Sequence, residues 1–267
     1  KFLRLLRPTN MLRLIGLFFT FSALSLTGLS QDLIINEFMA SNSYVLSDNS
    51  GDFDDWVEIY NPTGTDIDLA GYYFSDNLNN KFKYQIPSTN PIFTTIAAGA
   101  YLIFWADRDT TQGPTHLDFK LYSEGESIIL TNPQGIIEDL IQFTEQKKNI
   151  SYSRIPNGTG SFFYCTEATP YAENTSVGYN GFVKSNPIFS IERGVYENSQ
   201  SLSITKDFVS GYIRYTLDGS EPDLSSTIYT SPINISQNTN VRAAVFQDSL
   251  VPSDIHTHSY IFESIAN

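Results

Sequence analysis

The sequence is poor in several residue types that common functional sites require. It holds one cysteine, Cys165, and three histidines among 267 residues. A single cysteine excludes an intrachain disulfide, so each folded part depends on its own hydrophobic core. Cys165 has no basic neighbour in the sequence. We therefore interpret it as a small buried side chain rather than as a reactive thiol.

Basic residues are also scarce, with 16 Lys and Arg against 29 Asp and Glu and a net charge of −13. Four of the basic residues precede residue 31, so the remainder is more acidic still. An acidic chain repels a phosphate backbone, and we expect no nucleic-acid partner. The sequence also lacks a glycine-rich phosphate loop, a Gly-x-Ser-x-Gly elbow and a His-Glu-x-x-His helix. These absences favour a protein that is not an enzyme and uses no cofactor.

One long apolar run is present, at residues 14–29. It follows Met11 and a basic residue and ends in small residues, which predicts a signal peptide over residues 1–30, started at Met11 and cut before Gln31. The alternative is a membrane anchor, but the run is shorter than the roughly 20 residues that a bilayer requires. We expect an exported, extracellular or cell-surface protein that meets the membrane only through an uncleaved signal segment.

Beyond residue 31 the chain alternates short apolar strands with clusters of Gly, Pro, Asn and Asp. This spacing is typical of β-sandwiches, and no window shows a sustained helical stripe. The first series of predicted strands covers 33–38, 56–60, 72–75, 82–86, 101–106, 127–131 and 136–143, and the second covers 201–205, 212–216, 228–229, 233–236, 241–246 and 259–262. The turn-rich stretch 169–185 separates the two series.

The predicted fold class is therefore all-β, with two tandem immunoglobulin-like β-sandwiches preceded by a signal-peptide helix. We place the first sandwich at 31–175, a linker at 176–185 and the second sandwich at 186–267. Residues 54–61 are the clearest strand signal: Val57 and Ile59 alternate with Trp56 and Glu58, which predicts a half-buried strand between an acidic loop and a turn.

Residues 32–175 resemble a lamin tail domain. The resemblance depends on the order and spacing of short motifs: IINE at 34–37, DWVEIYN at 55–61, DLAGY at 68–72, AGAYL at 98–102, FKL at 119–121 and SRIPNG at 153–158. It implies an immunoglobulin-like sandwich without catalysis of its own, and it implies a structural role for His116, which falls at a position of the pattern.

Residues 186–263 are similar to the immunoglobulin-like domain at the C-terminus of chitobiases and β-hexosaminidases. The motifs that carry this similarity are IRYTLDGSEP at 213–222, SPI at 231–233, VRAAVF at 241–246 and SYIF at 259–262. No catalytic residue belongs to that module, so no glycosidase activity follows from it. The order of the two modules resembles the N-terminal half of exported bacterial proteins in which a spore-coat-H-like (CotH) kinase domain follows.

The acidic loop at 48–55 is the main candidate site. Asp48, Asp52, Asp54 and Asp55 offer the carboxylate oxygens that Ca²⁺ prefers, although their spacing differs from the helix-loop-helix calcium pattern. The alternative is a solvated loop in which Asp55 bonds to the entry of the strand. Both interpretations stay open at this point, and the calcium site is a hypothesis.

Other candidate chemistry is weaker. His256 and His258 have the spacing of one strand face and, with Asp254, supply fewer ligands than a zinc site needs, so exposed strand-end histidines are the simpler account. Aromatic residues such as Tyr72, Trp105 and Tyr164 are interpreted as core rather than as a sugar-stacking platform.

The sequence therefore favours a non-enzymatic, exported adhesion or spacer region that presents other domains through protein or glycan contacts at the cell surface. The alternative is the accessory part of a larger secreted CotH kinase-like enzyme, whose catalytic domain would lie beyond residue 267.

Overall fold

The computed structural model describes residues 32–208 and 210–262. The predicted signal peptide lies outside the described residues. Among the described residues, no helix combines the length and the apolar character that crossing a bilayer demands. Nearly all regular structure is β-strand, which confirms the all-β prediction.

The first sandwich consists of twelve strands in the described chain. They are β1 (Ile34–Met39), β2 (Asp55–Tyr60), β3 (Ile67–Asp68), β4 (Tyr73–Ser75), β5 (Tyr84–Gln85), β6 (Thr95–Ile96), β7 (Tyr101–Ala106), β8 (His116–Leu117), β9 (Ser127–Thr131), β10 (Ile137–Gln142), β11 (Ser151–Ile155) and β12 (Ser161–Cys165). A one-turn helix, α1 (Pro91–Thr94), and a 3₁₀ turn (Thr110–Gln112) occupy two of the connections.

Two sheets of this sandwich share one core. The larger sheet has the order β12-β11-β1-β2-β7-β8, and the smaller has the order β10-β9-β4-β5. All neighbours are antiparallel except β7 and β8. Phe38, Val57 and Phe104 from the larger sheet pack with Phe74 and Leu130 from the smaller one. Alternate side chains of both sheets therefore meet in the middle, as the periodicity predicts.

The second sandwich begins after residue 186. Its strands are β13 (Pro187–Phe189), β14 (Gly194–Tyr196), β15 (Gln200–Leu202), β16 (Ile204–Lys206), β17 (Tyr212–Thr216), β18 (Thr227–Ile228), β19 (Ile233–Ile235), β20 (Thr239–Phe246) and β21 (His256–Phe262). A five-stranded sheet with the order β14-β21-β20-β17-β18 faces two strand pairs, β13-β16 and β15-β19. Leu202, Ile213, Ile235, Val245 and Tyr260 belong to its separate core.

The sequence prediction for β2 assigns the side chains to the correct faces of the strand, but it is wrong about their solvent exposure. Val57 and Ile59 do point into the shared core, while Trp56 packs with Met39 and Trp105 on the opposite face. However, Trp56, Val57, Glu58 and Ile59 are all buried. The strand is therefore covered on both sides rather than half-buried.

The cover on the outer face comes from residues 167–176, which we call the covering segment. Its Ala168 packs against the Trp56 cluster, and Asn174 is buried, with its side-chain amide donating to the carbonyls of Asn36 and Arg154, both at 3.0 Å. Turn-forming residues here bind to a sheet face instead of extending into solvent.

The next residues, 179–183, join the two sandwiches. Tyr179 pairs with Tyr164 of β12 through two backbone hydrogen bonds of 2.9 Å. On the other side, the amide of Asn180 donates to Ser249 and that of Val183 to Val251, at 2.8 and 2.9 Å. Phe182 packs between Tyr164 and Val251 in a small cluster of its own. The stretch predicted as a linker is thus bonded to both sandwiches, although the domain limits themselves stay a prediction.

Candidate functional site

A groove of about 1290 Å³ lies between the two sandwiches. Its walls on one side come from the loops at residues 41–44 and 146–150, and on the other side from β17, β20 and the loops at 221–224 and 247–255. We call this feature the inter-sandwich groove. Its volume exceeds the 300 to 1,000 Å³ that is ordinary for small-molecule sites.

Ion pairs hold charges on both walls. The Nζ atom of Lys147 lies 3.8 Å from Asp254 and 5.2 Å from the ring centroid of Phe182. On the β20 wall, Arg242 donates to the Glu221 carboxylate at 3.0 Å and to the carbonyl of Gly219 at 3.1 Å. Lys148, Glu167 and Asp248 also line the groove, so its surface carries charges of both signs.

Aromatic side chains line the same groove. Tyr44 protrudes from its loop with 71% of its surface exposed. Tyr212 lies on the outer face of β17, parallel to Phe246, with ring centroids 6.3 Å apart. Neither tyrosine could be assigned to a groove from the sequence, because the residues of the groove belong to distant segments. By contrast, Trp105 and Tyr164, which the sequence analysis interpreted as core, are buried.

The acidic loop is built around Asp48. One carboxylate oxygen of Asp48 accepts hydrogen bonds from the amides of Ser50 and Asp52, at 2.8 and 2.9 Å. Its own amide donates to the carbonyl of Asp52 at 2.9 Å. Asp48 is only 8% exposed, and its second oxygen has no hydrogen-bond partner in the described structure. This aspartate holds the turn by binding backbone groups.

The other three predicted calcium ligands, Asp52, Asp54 and Asp55, have different surroundings. Burial raises the pKa of Asp55 to about 6, and backbone amides at Asn42 and Leu121 oppose that rise. Asp54 lies 3.6 Å from Lys120. Asp52 and Asp54 face a depression of about 350 Å³ that Asp107 and Asp109 also line. The structure therefore brings Asp52 and Asp54 together and places Asp48 and Asp55 outside that depression.

No three His, Cys, Asp or Glu side chains are grouped to hold a metal ion anywhere in residues 32–208 and 210–262. The calcium hypothesis therefore has no complete ligand set here and stays a prediction. His258 lies against the Phe189 ring, with centroids 4.3 Å apart, and its Nδ1 atom is 3.1 Å from the carbonyl of Ile191.

His116 is buried and interacts with a carboxylate. Its Nδ1 atom lies 2.5 Å from Oδ2 of Asp107, and its ring stacks on Trp105. Asp107 in turn accepts a hydrogen bond from the amide of Asp109 at 2.8 Å. The pair fixes the start of β8 beside the end of β7, which is a structural arrangement.

A pair of buried glutamates was not foreseen. Glu37 and Glu58 are both fully buried on the outer face of the larger sheet. Burial raises the pKa of Glu58 to about 8 and raises that of Glu37 as well. The only signal in the sequence is that each glutamate falls within an apolar strand, with Glu58 at a position that alternates with Val57 and Ile59.

The comparisons with known families agree with this architecture. Residues 29–145 match the model of the lamin tail domain, and residues 191–257 match that of the chitobiase/beta-hexosaminidase C-terminal domain. Both matches occur in the order that the resemblance gave. No curated protein matches the chain. The two modules are of an immunoglobulin-like, non-catalytic type.

Proposed function

We propose that this chain is an exported, non-catalytic adhesion or spacer region that presents other domains at a cell surface through protein or glycan contacts. The observation that carries the proposal is the bonded junction. Backbone hydrogen bonds from residues 179–183 reach Tyr164 on one side and Val251 on the other. A connection of this kind holds the two modules in a fixed relation, which suits a region that positions other domains.

Export is supported by the apolar run at 14–29, which has the layout of a signal peptide. Chain fractionation in the native cell tests it directly. We expect the mature protein at the surface or in the medium, accessible to protease on intact cells, with an N-terminus at Gln31. Recovery of the chain only from the cytosol, with residues 1–30 still attached, would contradict the proposal.

A second proposal is that the chain is the accessory part of a secreted CotH kinase-like enzyme. The observation that favours it is the order of the two matched modules. Translation of the reading frame past Asn267 tests it, because kinase-like Lys and Asp motifs would follow. In that case the two sandwiches would position the kinase domain rather than act alone.

A further inference from the structure

We propose that Asn180 is a site of spontaneous deamidation, and that its conversion to aspartate or isoaspartate loosens the junction between the two sandwiches. The sequence contains two Asn-Gly dipeptides, Asn157-Gly158 and Asn180-Gly181. Such dipeptides favour the reaction, because glycine has no Cβ atom to shield its amide nitrogen and its backbone bends freely toward the preceding side chain. The fold restrains the first dipeptide and leaves the second free to react.

The reaction needs neither an enzyme nor an oxidant. The amide nitrogen of Gly181 attacks Cγ of Asn180 and closes a succinimide ring. The bond from Cγ to Nδ2 breaks, and the side-chain nitrogen leaves as ammonia with the proton that the Gly181 amide loses. Water then opens the ring at either carbonyl, which gives aspartate or isoaspartate. The net change is that water enters and ammonia leaves.

Asn157-Gly158 is held in place by hydrogen bonds. The amide of Gly158, which would be the attacking nitrogen, donates to Oδ1 of Asn36 at 3.0 Å. The side-chain amide of Asn157 donates to the Tyr101 hydroxyl at 3.0 Å, and its Oδ1 atom accepts from the backbone amide of Asn174 at 3.0 Å. These bonds must break before the Gly158 nitrogen reaches Cγ of Asn157, so this dipeptide reacts only after local opening.

Asn180-Gly181 has none of these restraints on its reacting atoms. The side chain of Asn180 is exposed, which gives water access to it. Within residues 32–208 and 210–262, that side chain makes no hydrogen bond, and neither does the peptide group that joins Asn180 to Gly181. The attacking nitrogen and its target carbon can therefore meet without the loss of any bond that the fold makes to them.

The fold does not require a glycine at position 181. Its φ lies outside the left-handed region, and an added Cβ atom would meet Cδ2 of Leu250 at 3.6 Å, which is an ordinary contact. Gly158 differs, because its φ is +69° and an added Cβ atom would lie 2.9 Å from the ring of Tyr60. Backbone geometry and packing thus explain the glycine at 158 and leave the one at 181 to be explained by its chemistry.

Either product disturbs the bonds that join the sandwiches. The amide of Asn180 donates to the carbonyl of Ser249 at 2.8 Å, and the carbonyl of Gly181 accepts from the amide of Val251 at 2.9 Å. Isoaspartate routes the main chain through the former side chain, which inserts a methylene between these two anchors. Aspartate adds a negative charge where the chain meets Ser249, the neighbour of Asp248 in the sequence, and like charges repel.

The test is incubation of residues 31–267, the predicted mature chain, at mildly alkaline pH, followed by peptide mapping with mass spectrometry and by detection of isoaspartate. We expect Asn180 to deamidate at least roughly tenfold faster than Asn157, because opening the second site costs several hydrogen bonds. In concentrated urea both dipeptides lose the fold, so the two rates should converge. Gly181→Ala should slow the reaction at Asn180 by roughly fivefold or more and leave the melting temperature of fresh protein unchanged.

Calorimetry then reads out the junction. The aged parent chain should show two melting transitions where the fresh chain shows one, whereas aged Asn180→Ser should keep a single transition. Asn180→Ser removes the reacting amide at an exposed position, so it guards against a folding artefact in Gly181→Ala. The inference is overturned if Asn157 reacts as fast as Asn180 in the folded chain, if Asn180 reacts only in urea, or if the aged parent and aged Asn180→Ser melt alike.

Discussion

Glu37 of β1 lies directly opposite Glu58 of β2 in the strand register, and both carboxylates are buried. A register shift between Ile35 and Glu37 places the side chain of Asn36 beside them, where its amide donates to Glu58 at 3.0 Å. No ion pair in the described part of the chain involves either glutamate. Instead, the two carboxylates bind the covering segment.

The bonds to that segment are specific. The Thr169 amide and hydroxyl both donate to Glu37 at 3.1 Å, and the Tyr171 amide donates to Glu58 at 2.6 Å. Two like charges at adjacent buried positions repel, so the pair favours protonation of one member. The glutamates thus anchor a loop to a sheet face and make that anchor sensitive to pH.

The first prediction is that the free energy of unfolding depends on pH through Glu58. The pKa of Glu58 in the folded chain is about 8, against an ordinary value of 4.5. Between those values the folded state holds a proton that the unfolded state has lost, so the free energy of unfolding falls as the pH rises through this window. We expect urea denaturation to show higher stability near pH 5 than near pH 9.

The variant Glu58→Gln isolates the effect, since glutamine resembles the protonated acid. Its stability should depend less steeply on pH between 5 and 9 than that of the parent chain. Glu173→Gln is the control, because Glu173 is exposed in the same segment and its replacement should leave the pH profile unchanged. An equal slope in Glu58→Gln and the parent would show that Glu58 is ionised in the folded state.

The strands that the sequence predicted best are those with strong apolar alternation. The predicted 56–60, 101–106 and 127–131 differ from β2, β7 and β9 by a single residue at most. By contrast, β11 was not predicted as a strand, because Ser151 and Ser153 occupy its buried positions. The burial of these serines is explained by the neighbouring Glu37, whose carboxylate accepts a hydrogen bond from Ser153 at 2.8 Å.

Tertiary context explains the remaining differences. The covering segment contains the turn-forming residues of a linker. The local sequence alone cannot show that this segment packs on a sheet face built from distant residues. The inter-sandwich groove is equally non-local, since Tyr44 and Tyr212 are far apart in the chain. The acidic loop was easy to find by composition, but its geometry depends on which carboxylates bind backbone amides.

The second prediction tests the covering segment as part of the first sandwich. Asn174→Ala removes the side-chain amide that donates to the carbonyls of Asn36 and Arg154, whereas the Thr169 hydroxyl keeps Glu37 as its acceptor. Loss of these two hydrogen bonds to the carbonyls should cost roughly 2 to 3 kcal/mol of unfolding free energy. Glu173→Ala next to it should cost less than about 0.5 kcal/mol. Equal effects in urea denaturation would indicate that the segment is not bound to the sheet.

The third prediction concerns the junction. Phe182→Ala removes a ring whose centroid lies 4.3 Å from that of Tyr164. Loss of this small cluster should lower the unfolding free energy by about 2 to 4 kcal/mol. It should also separate the melting of the two sandwiches, so that calorimetry shows two transitions where the parent chain shows one. Two transitions in the parent would mean that the junction does not couple the sandwiches.

The fourth prediction separates a structural role of the acidic loop from a calcium-dependent one. Asp48 binds two backbone amides without any metal, so Asp48→Ala should lower the unfolding free energy by about 1 to 2 kcal/mol even in EDTA. Asp52→Ala keeps those bonds and is the matched control, with little change expected. If Asp48→Ala destabilises the chain only when millimolar Ca²⁺ is present, or if Ca²⁺ raises the melting temperature of the parent but not of Asp52→Ala, the loop is a calcium site after all.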